Sequence, residues 1–323
     1  MKVDEAAEGA RRPTAGSIAS MHAAARLYYE EDLSQHEVAE RLNVSRSTVS
    51  RLLRQARAQG IVRIEVRPPS PAGELAIELA EGLGLRRAAV VPALAPGGGL
   101  HALVAPTLAE LERLALRPGD VLAISWGSTV CEVAQAQRFP DLRGVRLVPA
   151  VGGMDEVDVR FQPNEIARRV ADGSGAEVSF LHAPALPSPE LRGSLLSDPD
   201  ITARLALWDR LAAALVGIGR APAEPSAAPA HIAAVRDALC AAVGDVVSRH
   251  FDLAGDPVEM PHEDRLLGVS RAQLRAAGTV IGVAAGARKV GAVVGAARAR
   301  LIDILVTDAA TASAALDLAK DET

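Results

Sequence analysis

Aromatic residues are scarce in this sequence, with two Trp, two Tyr and four Phe in 323 residues. The cores must therefore be built from Ala, Val, Leu and Ile, within a hydrophobic fraction of 49%. Two cysteines, Cys131 and Cys240, are too few for a disulfide framework and show no metal-type spacing. His182, His250 and His262 are scattered without HExxH or comparable spacing, so no metal site is expected. No cofactor is expected either. No signal peptide is visible and no apolar run is long enough to span a bilayer, which predicts a cytoplasmic protein without a membrane partner. Lysine is nearly absent: arginine supplies the positive charge everywhere except Lys2, Lys289 and Lys320.

The length leaves room for two domains, each with its own core. Net charge is −5, but it is unevenly spread. Residues 11–67 carry +4, residues 1–10 carry −2, and the remainder carries −7. A basic module on an acidic body suits nucleic-acid binding through one end only.

The densest signal lies between Ser34 and Arg54. Ser34 followed by Glu37 is a capping-box pattern that starts a short helix, with Val38, Ala39 and Leu42 on one face. Asn43 tolerates the left-handed conformation of a sharp helix exit. Ser45 can cap a second helix, whose inward face is Val49, Leu52 and Leu53. Outward on it stand Arg46, Ser47, Ser50, Arg51, Arg54 and Arg57, with no acid among them. Small Ala39 lets the two helices cross closely.

This pattern predicts a helix-turn-helix whose second helix enters the major groove of a double-stranded DNA operator. Arg46, Ser47, Ser50 and Arg51 are the expected base readers. Arg54, Arg57 and Gln35 are expected on phosphates, with Ser45 and Thr48 at the contacting end of the helix. A solvated basic helix in an ordinary all-α cap is the competing reading. The coincidence of cap, small residue, turn and arginine face in one register argues against it.

Around this pair, residues 1–15 read as a disordered arm. A supporting helix is expected from Ser17 to Glu31, with Ile18, Met21, Ala25 and Tyr28 on one face. After Gly60, the alternation from Ile61 to Val66 reads as a half-buried strand. Pro68-Pro69-Ser70-Pro71 then ends the module. The expected domains are 16–67, a helix-turn-helix DNA-binding domain, and 72–323, an effector-binding and oligomerisation domain.

From Glu74 a helix with Leu75, Leu79 and Leu83 leads into apolar strands alternating with alanine-rich helices. The strand candidates are Ala88–Val91, Val121–Ser125, Val145–Val148, Glu177–Leu181, Ala213–Ile218, Thr279–Ala284 and Ile302–Val306. Such continuous runs predict an α/β domain with a mostly parallel sheet, covered on both faces. Ligands in such sheets sit at the carboxyl ends of the strands.

Three glycine loops occupy such ends: Ser125-Trp126-Gly127-Ser128-Thr129, Gly217-Ile218-Gly219-Arg220, and Ala285-Gly286-Ala287-Arg288-Lys289. Each alone is as easily a plain turn. Three together, two with cations, point to an anion pocket. A lysine at a helix start is unfavourable beside the positive end of the dipole, so Lys289 reads either as a group that meets an anion there or as a solvated lysine. Gly152-Gly153 and Asp252 are further effector candidates. Asn164 is either a helix cap or a ligand contact, and Asp308 is either a turn cap, the favoured reading, or a group that reaches a sugar hydroxyl. Trp126 and Trp208 are expected in the core or an interface.

The order of these motifs resembles the SorC/DeoR-type sugar-binding transcriptional regulators, from about Arg26 to Leu318. The most specific parts are the helix-turn-helix Leu33–Ala58 with Gly60-Ile61-Val62, and Pro118-Gly119-Asp120-Val121 running into Ser125–Thr129. Pro163-Asn164-Glu165-Ile166-Ala167, Thr279–Gly286 through Lys289, and Leu301–Asp308 complete it. The resemblance implies a phosphosugar isomerase-like effector domain, also similar to glucosamine-6-phosphate deaminases, and a sugar or sugar-phosphate effector. It also implies a homo-oligomer, dimer or tetramer. On matching positions, Gly127, Ser128 and Thr129 look like phosphate contacts and Lys289 like an effector contact, with Gly219 and Arg220 beside them. The chain departs from the family in two places. The loop Leu147–Gly153 has no lysine to form an imine with an aldehyde effector, and Ala285 replaces a usual glycine.

The expectation is a non-enzymatic, DNA-binding transcriptional regulator of a carbohydrate-metabolism operon, controlled by a phosphorylated sugar or polyol. The alternative is a sugar-phosphate isomerase or deaminase carrying a DNA-binding head. That chemistry needs an acid/base pair beside the phosphate loop, for which Asp155, Glu156 and Asp158 are candidates. The segment Pro68–Pro71 and the following helix are expected to transmit effector binding to the DNA-binding module.

Overall fold

Among the described residues of the N-terminal unit, serine caps set the start of three helices: α1 (Ile18–Tyr29), α2 (Gln35–Leu42) and α3 (Arg46–Ala58). Ser17, Ser34 and Ser45 accept from the amides of Ser20, Glu37 and Thr48 at 3.2, 3.4 and 3.2 Å. The Ser34 amide donates back to Glu37 Oε2 at 2.8 Å, closing the capping box. Those hydrogen bonds hold the Glu37 carboxyl below its usual range. Asn43 ends α2 in the left-handed conformation, φ 53° and ψ 49°. The helices close on Met21, Ala24, Ala25, Leu27, Val38, Ala39, Val49, Leu52, Leu53 and Ala56.

The computed structural model describes residues 17–62, 71–92, 94, 99–136, 138–154, 158–220, 240–261 and 263–321. The chain divides into two units, Met1–Pro68 and Pro69–Thr323. The expected arm 1–15, the strand residues 63–66, Pro68–Ser70, Asp155, Glu156 and His262 lie outside the described residues. Ile61 and Val62 pack on the N-terminal core. The expected face of α1 is corrected at one end: Ile18 is 70% exposed, because it is the first residue of the helix and lies beyond the packed face.

The second unit is a sheet of parallel strands in the order β1-β9-β8-β5-β2-β3-β4, with an antiparallel hairpin β6–β7 attached to β5. In chain order, α4 (Pro71–Leu83) precedes β1 (Arg87–Val91), and α5 (Val104–Arg113) precedes β2 (Val121–Ile124). Then come α6 (Ser128–Ala134), β3 (Arg146–Pro149), α7 (Pro163–Ser174), β4 (Glu177–Val178), α8 (Pro189–Ser197), α9 (Pro199–Leu205) and β5 (Leu211–Arg220). The hairpin strands β6 (Gly244–Val246) and β7 (Arg249–Phe251) lead to α10 (Arg271–Ala276), β8 (Thr279–Val283), α11 (Val290–Arg298), β9 (Ile304–Asp308) and α12 (Ala309–Asp321).

Alternate residues of each buried strand face opposite layers. Leu122, Ile124, Leu147, Leu215, Ile281 and Val306 pack under α5, α6 and α7. Ala123, Val148, Ala214, Val216, Val280 and Leu305 pack under α4, α11 and α12. From β2 the chain moves outward to β3 and β4, then returns to β5 on the other side of β2 and continues to β8 and β9. The direction of winding therefore reverses between β2 and β5, where an α/β sheet opens a crevice at its carboxyl edge.

Several expected elements shift. The strand expected at Ile302–Val306 runs Ile304–Asp308. The one expected at Glu177–Leu181 ends at Val178. Beyond that end, the Asn164 amide takes over as the partner of Leu181, donating to its carbonyl and accepting from its N–H, both at 3.0 Å. Asn164 is thus neither cap nor ligand group in this structure; Gln162 is the N-cap residue, followed by Pro163 in the first turn. The β6–β7 hairpin was not anticipated. Its turn residues Val247 and Ser248 adopt φ 53° and 58°, without the Asn-Gly or Asp-Gly signal of such turns.

Candidate functional site

Two surfaces carry the candidate chemistry, one in each unit. On α3 the side facing the helical core is Val49, Leu52, Leu53 and Ala56. Helical periodicity leaves Arg46, Ser47, Arg51, Arg54 and Arg57 exposed, with Thr48 and Ser50 half-buried. Among the described residues the guanidinium groups of these four arginines have no hydrogen-bond or ion-pair partner, so their donors stay available for phosphates and base edges. Gln35, at the start of α2, is half-buried. Ser45 differs from the others: its hydroxyl accepts the Thr48 amide and lies 2.8 Å from the hydroxyls of Ser47 and Thr48. It serves the helix start.

The second surface is a 230 Å³ cavity at the carboxyl ends of β2 and β5, where the winding reverses. Gly127, Ser128 and Thr129 line one side, Gly217, Ile218, Gly219 and Arg220 another, and Lys289 reaches in from the turn after β8. The chain thus converges here from positions more than a hundred residues apart. Gly127 stands at φ 108° and ψ 166°, a conformation that favours glycine, and starts α6. The first amides of a helix lack intrahelical partners, so Ser128 and Thr129 present backbone and hydroxyl donors together. Ser125 is buried beneath them, and its hydroxyl accepts the Gly217 amide at 3.0 Å, which ties β2 to β5 under the cavity floor.

Lys289 donates through Nζ to the carbonyl oxygen of Ile218. Burial lowers its pKa below the ordinary lysine range; the nearby Asp245 carboxylate opposes that shift and Arg220 adds to it. Arg220 and Lys289 therefore supply two positive groups to one small space, against the single carboxylate of Asp245.

Asp245 and Val247, both from the unanticipated hairpin, complete the lining with Ser125 and Trp126. The Asp245 carboxylate accepts the Ser248 amide at 2.9 Å. It lies across Gly219 so closely that a Cβ there would stand 1.8 Å from Oδ1. Val247 is a buried β-branched residue at positive φ, a strained conformation held at the cavity wall. No local sequence signal marks these two. The nearest hint is Gly219 itself, whose need becomes visible only when the hairpin folds over it.

Six of the expected effector residues thus share the cavity: Gly127, Ser128, Thr129, Gly219, Arg220 and Lys289. Four are placed elsewhere. Gly152 and Gly153 continue the path of β3 and pair through their backbones. Gly152 N donates to Leu267 O at 2.9 Å, and Gly153 N to Ala183 O at 2.8 Å. A Cβ on Gly152 would meet Ala183 O at 2.6 Å, so this glycine serves a close backbone approach. Asp252 closes the turn after β7, its carboxylate accepting the Asp256 amide at 2.9 Å. Gly286 precedes the turn that carries Lys289, and its N–H is engaged by Asp308 and Thr311.

Among the expected acids, Asp158 caps a short 3-10 turn and pairs with Arg160 at 2.6 Å. Trp208 is buried, with its indole N–H donating to Pro149 O at 3.0 Å, whereas Trp126 is half-buried at the cavity. Among the described residues no group of three or more His, Cys, Asp or Glu converges as metal ligands would, and no helix is long and apolar enough to cross a membrane.

With this geometry in place, similarity to known proteins is extensive. Residues 68–317 match the Sugar-bind family model, which describes a sugar-binding domain, and residues 26–59 match sigma-70 region 4. The sorbitol operon regulator of Klebsiella pneumoniae is 33% identical over 300 residues, spanning 89% of this chain and 94% of that one. The deoxyribonucleoside regulator of Bacillus subtilis is 32% identical over 297 residues, spanning 90% and 95%. The crystal structure of the full-length sorbitol operon regulator SorC from K. pneumoniae matches with a TM-score of 0.69 at 31% identity, covering 93% of this chain and 99% of that chain.

Proposed function

The chain belongs to the SorC/DeoR-type family of sugar-binding transcriptional regulators, and from that premise we propose that its effector is a phosphorylated sugar or polyol held in the cavity between Gly127 and Lys289. The observation that carries this reading is the convergence of two cations and the Ser128–Thr129 donors on one space at the winding reversal. A phosphate would meet the backbone and hydroxyl groups of Ser128 and Thr129, with Lys289 as the charge that turns toward it. Asp245 is the acceptor available to a sugar hydroxyl. Ile218 O, which accepts from Nζ, is the partner Lys289 would exchange or share.

On the DNA side, Arg46, Ser47, Ser50 and Arg51 read base edges, and Arg54, Arg57 and Gln35 hold phosphates, with Thr48 at the contacting end. Binding to a repeated operator needs at least a dimer, so the regulator acts as a homo-oligomer in the cytoplasm. The effector shifts operator affinity by binding two arrangements of that oligomer unequally, with a coupling of about 1–3 kcal/mol. The operon it governs handles carbohydrate. The enzyme reading is the weaker one. Isomerase or deaminase chemistry needs a positioned acid and base, whereas among the described residues the cavity lining holds one carboxylate and no histidine.

A thermal-shift screen of the full chain against sugar phosphates, polyol phosphates and their unphosphorylated parents tests this. Ligand at 100 times its Kd stabilises by about 2.7 kcal/mol, well within detection. The expected hit is phosphorylated and is lost in Lys289→Ala. Binding of unphosphorylated sugars alone would remove the phosphate from the account, and turnover of a sugar phosphate would reinstate the enzyme.

A further inference from the structure

The loop that carries Lys289 is fastened from behind. The Gly286 N–H donates to both Asp308 Oδ2, at 3.0 Å, and Thr311 Oγ1, at 2.7 Å. Thr311 Oγ1 donates in turn to Asp308 Oδ2 at 2.6 Å, and the other carboxylate oxygen accepts the amides of Ala310 and Thr311 at 3.0 and 3.2 Å. Asp308 is 2% exposed and Thr311 fully buried, so these bonds are shielded from water. From Gly286 the chain turns at once, the Lys289 amide donating to Gly286 O at 2.8 Å, which fixes where the lysine stem begins.

The same two residues open α12, and α12 lies directly on α4. Leu79 and Leu83 of α4 share a core with Ala312, Ala315 and Leu316 of α12. The contact is tight enough that a Cβ on Gly82 would stand 2.6 Å from Leu316 Cδ2. Helix α4 begins at Pro71, three residues past the boundary at Pro68. One continuous set of bonds and packed side chains therefore runs from the cavity cation to the helix with which the effector unit begins.

We propose that Asp308 and Thr311 form a latch that positions the Gly286–Lys289 turn over the cavity and couples occupancy of the cavity to α12 and α4. The inference rests on the reading of the cavity as the effector site. When an anion draws Lys289 from Ile218 O, the short turn transmits the change to Gly286. The shared hydrogen bond passes it to the first turn of α12, and the close contact at Gly82 passes it to α4. Neither latch residue needs to touch the ligand; both act through Gly286.

Hydrogen exchange on the full-length chain, with and without inorganic phosphate, tests the latch. In the wild type, phosphate should slow exchange at Ser128 and Thr129, and also at Gly286 and along residues 77–83 by about fivefold or more, the lower end of ordinary coupling between sites. Thr311→Val removes the hydroxyl at nearly constant volume. It should keep the protection at Ser128 and Thr129 and lose that on α4, whereas Thr311→Ser should restore the protection on α4.

Three outcomes go the other way. Protection at Ser128 and Thr129 without any change on α4 in the wild type would overturn the latch and leave the anion cavity standing. Undiminished α4 protection in Thr311→Val would do the same. No protection at Ser128 or Thr129 in the wild type would overturn the anion cavity and the latch together. The wild-type comparison decides the matter even if Thr311→Val fails to fold.

Discussion

The two units write their function into the chain in opposite ways. In the N-terminal unit, all the candidate DNA contacts lie within Gln35–Arg57, and caps and helical periodicity are enough to place them. In the effector unit, the cavity gathers residues from Ser125 to Lys289, and only the strand order β8-β5-β2 makes them neighbours. A surface made of one helix face can be read from spacing. A cavity made at strand ends depends on which strands are adjacent, which spacing does not encode. The comparison also predicts how each should fail: the first through loss of local helix structure and charge, the second through shifts in distant elements.

The largest expected effect tests whether the N-terminal core stands apart. Leu52 is 2% exposed in the small core of the N-terminal unit, and Leu52→Ala should cost about 2–5 kcal/mol. Differential scanning calorimetry should show the N-terminal unit melting earlier, with the effector-unit transition unmoved. A common shift of both transitions would break the contrast.

How much of each unit was legible follows from the same difference. Ser34, Glu37, Asn43 and Ser45 announced the helix-turn-helix because each acts on backbone groups within three residues. The parallel sheet was legible because its buried strands are continuous apolar runs. Asp245 and Val247 were not, since the hairpin that carries them has a Val-Ser turn and acquires its role only by folding over Gly219. Gly152 and Gly286 misled for the converse reason. A glycine after a strand can serve a ligand, a close backbone approach or a turn, and its neighbours in sequence do not say which.

The next effect in size concerns Lys289. Its charge is the attraction for an anion, and burial lowers its pKa. The cation is therefore present at low pH and is lost as pH rises through a value below the ordinary lysine range. Phosphate affinity, measured by calorimetric titration, should fall as pH rises through that value. Lys289→Met should bind more weakly by about 1.5–3 kcal/mol below that value, the range for a hydrogen bond to a charged group, and should lose that fall. An unchanged profile in the variant would assign the anion to Arg220 instead.

In the N-terminal unit, Arg51→Ala should cost about 1–3 kcal/mol of operator binding and relax specificity at one base pair. Arg57→Ala should instead weaken all sequences alike and reduce the salt slope by about 1. Effector affinity should be untouched by either. Anisotropy titrations over a salt series separate the two, and identical behaviour of both variants would contradict the division into readers and anchors.

The smallest effect is a local one inside the effector unit. Hydrogen bonds from Arg168 and Arg169 hold the Glu165 carboxyl at a pKa of about 2. With the folded value below the unfolded one, its contribution is present above the ordinary glutamate range and fades as pH falls toward 2. Glu165→Gln should lower stability by about 1 kcal/mol or less at pH 7, the range of ion pairs at a protein surface, and by nothing at the acid limit. Effector binding should not change, because this pair belongs to α7 alone. A change in binding would show that even local pairs of this unit reach the cavity.

The central claim is that the cavity regulates the DNA-binding surface. The most direct test is the operator affinity of the full-length chain with and without a saturating sugar phosphate from the thermal screen, in the wild type and in Lys289→Met. A change of about 5- to 150-fold is expected in the wild type, and in the variant the same change only at ligand concentrations about 10- to 150-fold higher. Equal affinities in the wild type, with the ligand demonstrably bound, would contradict it.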